Sequence, residues 1–197
     1  MGVAKLTNQN TLVPASSKYA QVELERRYLL QDLPEDLTRA GKHFQITDSY
    51  ITGTRLRLRK VRDPQTNKWT VEFTQKFAPD KSAPTRFQIT SIFLNALEAE
   101  NLSVFDANEI RKNRYPFEFE GRAFAIDMFL GDLFGLVLAE TTFSADDEFA
   151  GYPLPKFALA EVTNNPIFSG GQLCQLTFED IRSEVKRNIS SKSSSAK

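Results

Sequence analysis

Two carboxylates and one guanidinium stand at alternate positions near the start of the sequence. Glu23, Glu25 and Arg27 lie in the segment VELERRYLL. If this segment is a strand, its period of two places all three side chains on one face. Two carboxylates on one face repel each other unless a positive group lies between them. Carboxylate oxygens are ligands that Mg²⁺ and Mn²⁺ prefer, so a divalent cation is one candidate for that group.

Basic side chains recur at alternate positions in the segments that follow. In TRLRLRK, one face of a predicted strand carries arginines and the other carries Leu56 and Leu58. The complete basic set is Arg27, Arg55, Arg57, Arg59, Lys76, Arg86, Lys112 and Arg114. The smaller acidic set is Glu23, Glu25, Glu140 and Glu161. Arg and Lys bind phosphate oxygens, so a phosphate chain bridged to a metal ion would balance both sets.

A solvated sheet face is the alternative interpretation of these charged strands. Segments such as RLRLR occur on many exposed sheets, and one short motif does not distinguish an exposed face from a binding site. Successive strands repeat the arrangement here, however, and their opposite faces are strongly aromatic. A barrel that turns its charged face inward satisfies both faces, provided that the buried charges find partners.

Alternating segments dominate the chain, and loops such as RDPQTNK and GDLFG separate them. Fewer segments have a helical pattern; these are PEDLTRAGK, NALEAENL and QLTFEDIRSEVKR. Many antiparallel strands and few helices predict an α+β fold with a sheet long enough to close. We expect one domain at 19–188, between a disordered polar tail at 1–18 and a disordered Ser-rich tail at 189–197.

Composition excludes several classes of function. In the 197 residues, 25 Lys and Arg balance 25 Asp and Glu, so no net field attracts nucleic acid or a membrane surface. Cys174 is the only cysteine and His43 the only histidine, which excludes an internal disulfide and a multi-histidine metal site. The sequence lacks a signal-peptide pattern and a membrane-length apolar run, so we expect a cytoplasmic protein.

Several segments, taken in order, resemble the CYTH domain, also called the triphosphate tunnel metalloenzyme family. VELERRYLL resembles the Glu-x-Glu-x-Lys signature strand of that family, and TRLRLRK resembles its arginine strand. TQKF and IRKNRY resemble its later basic strands. AIDMFLGDLFGLVLAETTF and AEVTNNPIFSGGQL resemble its acidic strand and its closing Glu-Val-Thr segment. The resemblance implies an eight-stranded antiparallel β-barrel, the triphosphate tunnel, with a charged bore and with helices packed outside.

The resemblance also implies roles for individual residues. Glu23, Glu25 and Glu140 would be the catalytic carboxylates and would hold Mg²⁺ or Mn²⁺. Glu161 would be a further metal or water ligand, or a brace for a basic neighbour. The substrate-binding residues would be Arg27, Arg55, Arg57, Arg59, Lys76, Arg86, Lys112 and Arg114.

Three positions depart from the family pattern. Arg27 stands where the family has Lys, and its forked guanidinium does not make the same contacts. Thr142 stands where the acidic strand usually carries a second Glu. Gln88 and Thr90 lie on a strand where many members carry Glu facing the bore. Fewer carboxylates favour weak metal binding, weak hydrolysis or binding alone.

The implied function is divalent-metal-dependent hydrolysis of a linear triphosphate, either inorganic or carrying a small organic group. A class IV-type adenylyl cyclase and a non-catalytic binder of polyphosphate or nucleotide are alternatives. A purely structural barrel would have no affinity for metals or anions. The expected partner is a triphosphate-containing small molecule, with no nucleic acid and no membrane, and the expected assembly is a monomer or a homodimer.

Overall fold

The computed structural model describes residues 20–77 and 86–195, with side chains up to residue 190. Its strands are β1 (Gln21–Leu29), β2 (Phe44–Ile51), β3 (Leu56–Asp63), β4 (Lys68–Phe77), β5 (Arg86–Leu94), β6 (Ala107–Phe119), β7 (Arg122–Phe129), β8 (Val137–Phe143) and β9 (Ala160–Glu161). Its α-helices are α1 (Ala96–Leu102), α2 (Asp146–Gly151), α3 (Gly170–Leu173) and α4 (Phe178–Ser195). Single 3₁₀ turns lie at Gly131–Leu133 and Pro166–Phe168.

The first eight strands form a closed antiparallel barrel. Their order is β5-β4-β3-β2-β6-β7-β8-β1, and the pairing of β1 with β5 closes the ring. β1 pairs with β8 along one edge; along its other edge, Gln21–Leu24 pair with β5, and Tyr28 and Leu29 pair with β9. The predicted α+β fold with an eight-stranded barrel is therefore confirmed.

Alternation along the strands separates a charged interior from apolar outer faces. One apolar cluster covers the outside of β1, β6, β7 and β8 and includes Tyr28, Tyr115, Phe124 and Ile126. The other cluster lies at one end of the barrel, where Leu29, Leu138 and Phe168 meet Ile181 of α4. Neither cluster contains a residue of β5, so that strand has no apolar cover on its outer face within the described residues.

Two of the three predicted helices are present. α1 begins at a capping box in which Asn95 accepts a hydrogen bond from the Glu98 backbone and Glu98 bonds back to the Asn95 backbone. The helix predicted for PEDLTRAGK is wrong, because residues 34–42 form turns. The backbone N–H of Leu37 donates a hydrogen bond to the carbonyl of Pro34, and that of Gly41 donates one to the carbonyl of Thr38, which closes those turns. Gly and Thr have low helix propensity, so they favour turns over a helix here.

The structure bears on only one of the two predicted disordered tails. Residues 1–18 lie outside the described residues. α4 runs through the Ser-rich segment as far as Ser195, whereas a disordered tail was expected from residue 189. Extending an existing helix by one residue costs far less than nucleating one, and Ser has an intermediate helix propensity. In the described part of the chain, no helix is long and apolar enough to cross a membrane.

Candidate active site

A cavity of about 1230 Å³ occupies the inside of the barrel and is lined by residues from the eight strands and α3. All but two of the predicted site residues line it. Those that do are Glu23, Glu25, Arg27, Arg55, Arg57, Arg59, Lys76, Lys112, Arg114 and Glu140. Closure of the sheet therefore gathers side chains that are far apart in the sequence.

Lys76 is the positive group that lies between the two carboxylates of β1. Its Nζ donates hydrogen bonds to Glu23 Oε2 at 2.7 Å and to Glu25 Oε2 at 2.8 Å. Burial alone would lower the pKa of Lys76, but Glu25 and Glu23 raise it overall, so the ammonium stays charged. The repulsion expected within the Glu23–Glu25 pair is thus offset by a side chain of the protein itself.

Arg27 separates the third carboxylate from the first two. Its Nη2 donates to Glu25 Oε1, and its Nε donates to Glu140 Oε1 at 3.0 Å. Arg114 Nη2 donates to the other oxygen of Glu140 at 2.6 Å. Burial alone would raise the pKa of Glu140, but Arg114 and Arg27 hold it well below its usual range. Glu140 is therefore an ionised carboxylate with a cation on each side.

The same alternation of charge continues into β7. Arg114 Nε donates to Asp127 Oδ1 and its Nη2 to Oδ2, both at 2.6 Å, and Lys112 Nζ donates to Oδ2 at 2.6 Å. Burial is the main cause of a lowered pKa for Lys112, which the Asp127 carboxylate only partly offsets. A continuous row of alternating charges, which we call the charge row, crosses the cavity. It runs Glu23, Lys76, Glu25, Arg27, Glu140, Arg114, Asp127, Lys112.

Comparisons with known proteins found a relative with a similar sequence and solved structures with a similar fold. No family model matches the chain. The inorganic triphosphatase of Acetivibrio thermocellus is 34% identical to it over 104 residues, covering 47% of this chain and 65% of that protein. The chain thus spans slightly less than two thirds of the length of that relative.

Two crystal structures of NE1496 share the architecture. One, of the inorganic triphosphatase NE1496, has a TM-score of 0.52 and 21% identity and covers 77% of this chain and 93% of that chain. The other, of NE1496 described as a hypothetical protein, has a TM-score of 0.53 and 20% identity and covers 79% and 99%. The chain has the fold of the CYTH, or triphosphate tunnel, family. At this level of identity the solved structures show the fold alone.

Two predicted residues lie outside the tunnel. Arg86 Nη2 contacts Asp146 Oδ1 at the start of α2, and its side chain is 42% exposed. Glu161 on β9 accepts a hydrogen bond from Arg26 Nη1 at 3.1 Å and one from Thr163 at 2.7 Å. Arg86 is therefore not positioned to bind a ligand in the tunnel. Glu161 does not line the tunnel as a metal ligand, and it matches the second expectation, a brace for a basic neighbour.

The orientation of β5 is the reverse of the expected one. Phe87, Ile89 and Phe93 line the tunnel, whereas Gln88 and Thr90 belong to the outward row. The register explains this orientation, because Phe87 pairs with Glu23, which faces inward. The polar row can face outward because the outer face of β5 has no apolar cover in the described structure.

Asp48 is a tunnel residue that the sequence did not single out. It is 1% exposed, and both its oxygens accept hydrogen bonds from Arg59, at 2.6 and 2.7 Å. Burial alone would raise its pKa, but Arg59 and Arg57 lower it. Alternation in ITDSY places Asp48 on the same face as Tyr50, which was the available signal. Its contact with Arg59 depends on the pairing of β2 with β3, which no local pattern reveals.

Arg57 and Glu72 are two tunnel residues whose side chains have unused hydrogen-bonding capacity among the described residues. Arg57 Nε is buried without a hydrogen-bond partner among the described residues, and the nearest carboxylate oxygen, of Asp48, is 3.7 Å away. Glu72 lines the same cavity, and its carboxylate has no hydrogen bond or ion pair among the side-chain contacts of the described residues. The Arg57 guanidinium can therefore donate a hydrogen bond to an anion in the cavity, and the Glu72 carboxylate can accept a proton there.

The carboxylates of the tunnel could bind a metal ion only if the substrate supplied some of its ligands. No group of three or more Asp, Glu, His or Cys side chains converges on a metal position among the described residues. Mg²⁺, however, is commonly held by one or two carboxylates together with substrate phosphates rather than by a cage of protein ligands. Glu23 and Glu25, which already share one cation, fit that form of binding.

Proposed function

We propose that this protein hydrolyses a triphosphate inside the tunnel. The observation that carries the proposal is the convergence of seven cationic side chains on one cavity. A linear triphosphate matches such a cavity because its oxygens can contact several strands at once. The 34% identity to an inorganic triphosphatase supports the same activity.

Phosphate oxygens would replace carboxylates as partners of the tunnel cations. Arg57 offers a buried Nε without a partner, and Arg55 has only the ring of Phe77, 4.4 Å from its guanidinium carbon, among the contacts described. These two side chains can bind a phosphate at little cost, because the one ion pair described for them, between Arg57 and Asp48, is long at 3.7 Å. The anion would then draw Lys76 from the carboxylates of β1, because an ammonium is a flexible point charge.

The two carboxylates of β1 are the tunnel groups that suit a divalent cation. Glu23 and Glu25 would hold it once Lys76 turns to the phosphates. Bound there, Mg²⁺ or Mn²⁺ would supply charge neutralisation for the phosphoryl group. The basic side chains keep the phosphate chain extended and in line, and this positioning accounts for most of the catalysis of phosphoryl transfer.

Water would attack the terminal phosphorus. A bond forms between the water oxygen and that phosphorus, while the bond to the bridging oxygen breaks and its electron pair stays on the diphosphate. The released proton passes to a carboxylate of the tunnel. We assign this role to Glu72, because its carboxylate has no partner in the described structure.

An activity and binding panel tests the proposal. Tripolyphosphate, ATP and thiamine triphosphate are each incubated with Mg²⁺ or Mn²⁺, and phosphate release is measured for the wild type, Arg57→Gln and Arg86→Gln. We expect Arg57→Gln to lose at least tenfold in kcat/KM. Arg86→Gln is the matched control, since Arg86 lies on the same barrel outside the tunnel.

Thermal unfolding provides a readout that does not depend on turnover. Tripolyphosphate should raise the melting temperature much more than equimolar orthophosphate, because only the longer anion spans several strands. Equal shifts with the two anions would contradict a tunnel site. A large shift with tripolyphosphate but no phosphate release would identify a binder instead. Thr142 and the absence of a three-carboxylate cluster in the described residues favour that second function.

A further inference from the structure

The second half of β5 has a partner strand on one side only. Its pairing with β1 ends at Ile89, which lies opposite Gln21, the first residue of β1. Residues 90–94 pair with β4 alone, and we call the other side of this segment the open edge. Alternate residues of an antiparallel strand direct their N–H and C=O groups to the same side. The open edge therefore presents backbone donors and acceptors to a side that no strand of the described structure occupies.

Exposed apolar side chains lie on both faces of this segment. Ile92 belongs to the outward row of β5 and is 55% exposed. Phe93 belongs to the inward row and is 78% exposed, although it lines the tunnel cavity. Leu97, at the start of α1, is 66% exposed. Scattered exposed apolar residues are common, but a group of them beside an unpaired strand edge marks an interaction surface.

The sequence gives the open edge none of the usual protection against pairing. Edge strands commonly carry a charged residue or a proline, which prevents another strand from adding to them. Residues 87–97 contain no charged residue and no proline. Two other segments extend past a neighbouring strand, and both are protected. Residues 115–119 of β6, beyond the pairing with β2, include Pro116 and Glu118, and the start of β4, beyond the pairing with β5, includes Lys68.

We propose that two copies of this chain form a homodimer by pairing their open edges in antiparallel orientation, with Ile92 of one copy opposite Ile92 of the other. Two identical strands that pair antiparallel are related by a two-fold axis, so the same edge serves both copies and the assembly closes at two. All residues of the 90–94 segment find a partner only when the axis passes through the middle residue, Ile92. This inference goes beyond the proposed function, because the pairing requires no ligand in the tunnel.

A second copy suits the open edge in both chemistry and shape. It brings an uncharged segment to an uncharged segment, so no charge has to be desolvated without a partner. In the proposed register, Phe93 lies opposite Ser91 of the second copy and Leu94 lies opposite its Thr90. Each large side chain therefore meets a small one across the new strand pair, and the backbone groups of both open edges are satisfied.

Sedimentation velocity of the full chain over a range of protein concentrations measures the association. We expect the wild type to dimerise and Ile92→Lys to raise the dissociation constant about tenfold or more, because two like charges then face each other at the axis. The side chain of Ile92 is more than half exposed, so the fold should tolerate lysine there. Phe134→Lys is the matched control, since it adds the same charge at an apolar residue that is 72% exposed and lies outside β5, and it should dimerise as the wild type does.

Cysteine cross-linking tests the register and does not depend on a destabilising variant. Ile92→Cys and Thr90→Cys are each made in a Cys174→Ser background, which removes the single native cysteine. Directly opposite residues have Cα atoms about 4.5–5.5 Å apart, within the range of a disulfide. The two copies of residue 90 would instead be about 13 Å apart along the strands. Oxidation should therefore convert Ile92→Cys to a covalent dimer, seen on a non-reducing gel, and leave Thr90→Cys mostly monomeric.

Three outcomes would overturn the inference. A wild type that stays monomeric at every concentration would show that the open edge does not pair with a second copy. A dimer that Ile92→Lys leaves as stable as Phe134→Lys does would place the interface elsewhere on the molecule. Cross-linking of Thr90→Cys as fast as that of Ile92→Cys would exclude the antiparallel register centred on Ile92. Phosphate release is measured separately, so each of these results leaves the proposed function intact.

Discussion

The ammonium of Lys76 lies 2.8 Å from a carboxylate oxygen of Glu25, and its contact with Glu23 is equally short at 2.7 Å. A residue predicted to bind phosphate thus neutralises two residues predicted to bind metal. In the proposed function, metal binding and phosphate binding would depend on each other, because the phosphate would remove the cation that competes for the carboxylates. The charge row itself is balanced, and the excess positive charge of the tunnel lies with the arginines of β3.

Lys76→Gln should separate metal binding from phosphate binding. Without the ammonium, Glu23 and Glu25 lose their shared cation, so Mn²⁺ alone should bind about tenfold more tightly than it binds the wild type. Tripolyphosphate alone should bind more weakly. Isothermal titration with each ion, in the absence of the other, measures both effects. Arg86→Gln serves as the control for loss of one positive charge, and an unchanged Mn²⁺ affinity in Lys76→Gln would show that Lys76 does not compete with the metal.

Thr142→Glu should strengthen metal binding. Thr142 lines the tunnel and is the cross-strand partner of Glu25, so a carboxylate there would join the Glu23–Glu25 pair. We expect the Mn²⁺ concentration for half-maximal hydrolysis of a triphosphate to fall several-fold, because hard cations bind more tightly as carboxylates are added. The matched control is Thr142→Gln, which has nearly the same size without the charge. Equal behaviour of the two variants would place the metal elsewhere.

Asp48 should make stability depend on pH. Its pKa is lowered in the folded protein, so its contribution is complete above the unfolded value of about 4 and is lost as the pH falls below it. Asp48→Asn leaves Arg59 without its charged partner and should reduce the free energy of unfolding by about 3 kcal/mol at pH 7. Urea unfolding at pH 7 and pH 3 should show that this difference shrinks in acid. Asp36→Asn, at an exposed position, should have no such pH dependence.

The strands were predictable because each carries its own alternation of polar and apolar residues, as TRLRLRK does. The identity of the inward face was predictable for β1, β3, β4, β6 and β8, where one face is charged and the opposite face is apolar enough to need cover. It was not predictable for β5, because the register of Phe87 with Glu23 decides that face and the outer side lacks apolar cover in the described structure. Register is a property of two strands, and local sequence contains only one of them.

The sequence predicted the positions of the site residues better than it predicted their interaction partners. The sequence indicated that Glu23 and Glu25 need a positive group, but a metal ion and a lysine from β4 satisfy that need equally well. Asp48 and Asp127 stabilise the arginines of the tunnel through contacts between neighbouring strands. Such contacts become visible only after the sheet closes, so the charge row could not be derived from spacing.

Gly170→Ala should disturb the end of the tunnel where α3 meets Tyr50. A Cβ atom on Gly170 would lie 2.7 Å from Cζ of Tyr50 and closer still to its hydroxyl oxygen, whereas a Cβ on Gly171 would meet nothing within 4 Å. Overpacking of this kind costs about 1–3 kcal/mol, and for a chain of this size each kcal/mol lowers the melting temperature by about 2–4 °C, so we expect a fall of about 2–12 °C in Gly170→Ala. Because Tyr50 lines the tunnel, tripolyphosphate affinity should fall as well.

Gly171→Ala is the matched control for this change, since it makes the same substitution one residue later in α3 without a contact, and its melting temperature should stay the same or rise slightly. A double-mutant cycle with Tyr50→Leu assigns the cause. If the ring of Tyr50 is the obstacle, Gly170→Ala should cost much less in the Tyr50→Leu background than in the wild type. An identical cost in both backgrounds would mean that the backbone of α3, and not its contact with Tyr50, requires glycine.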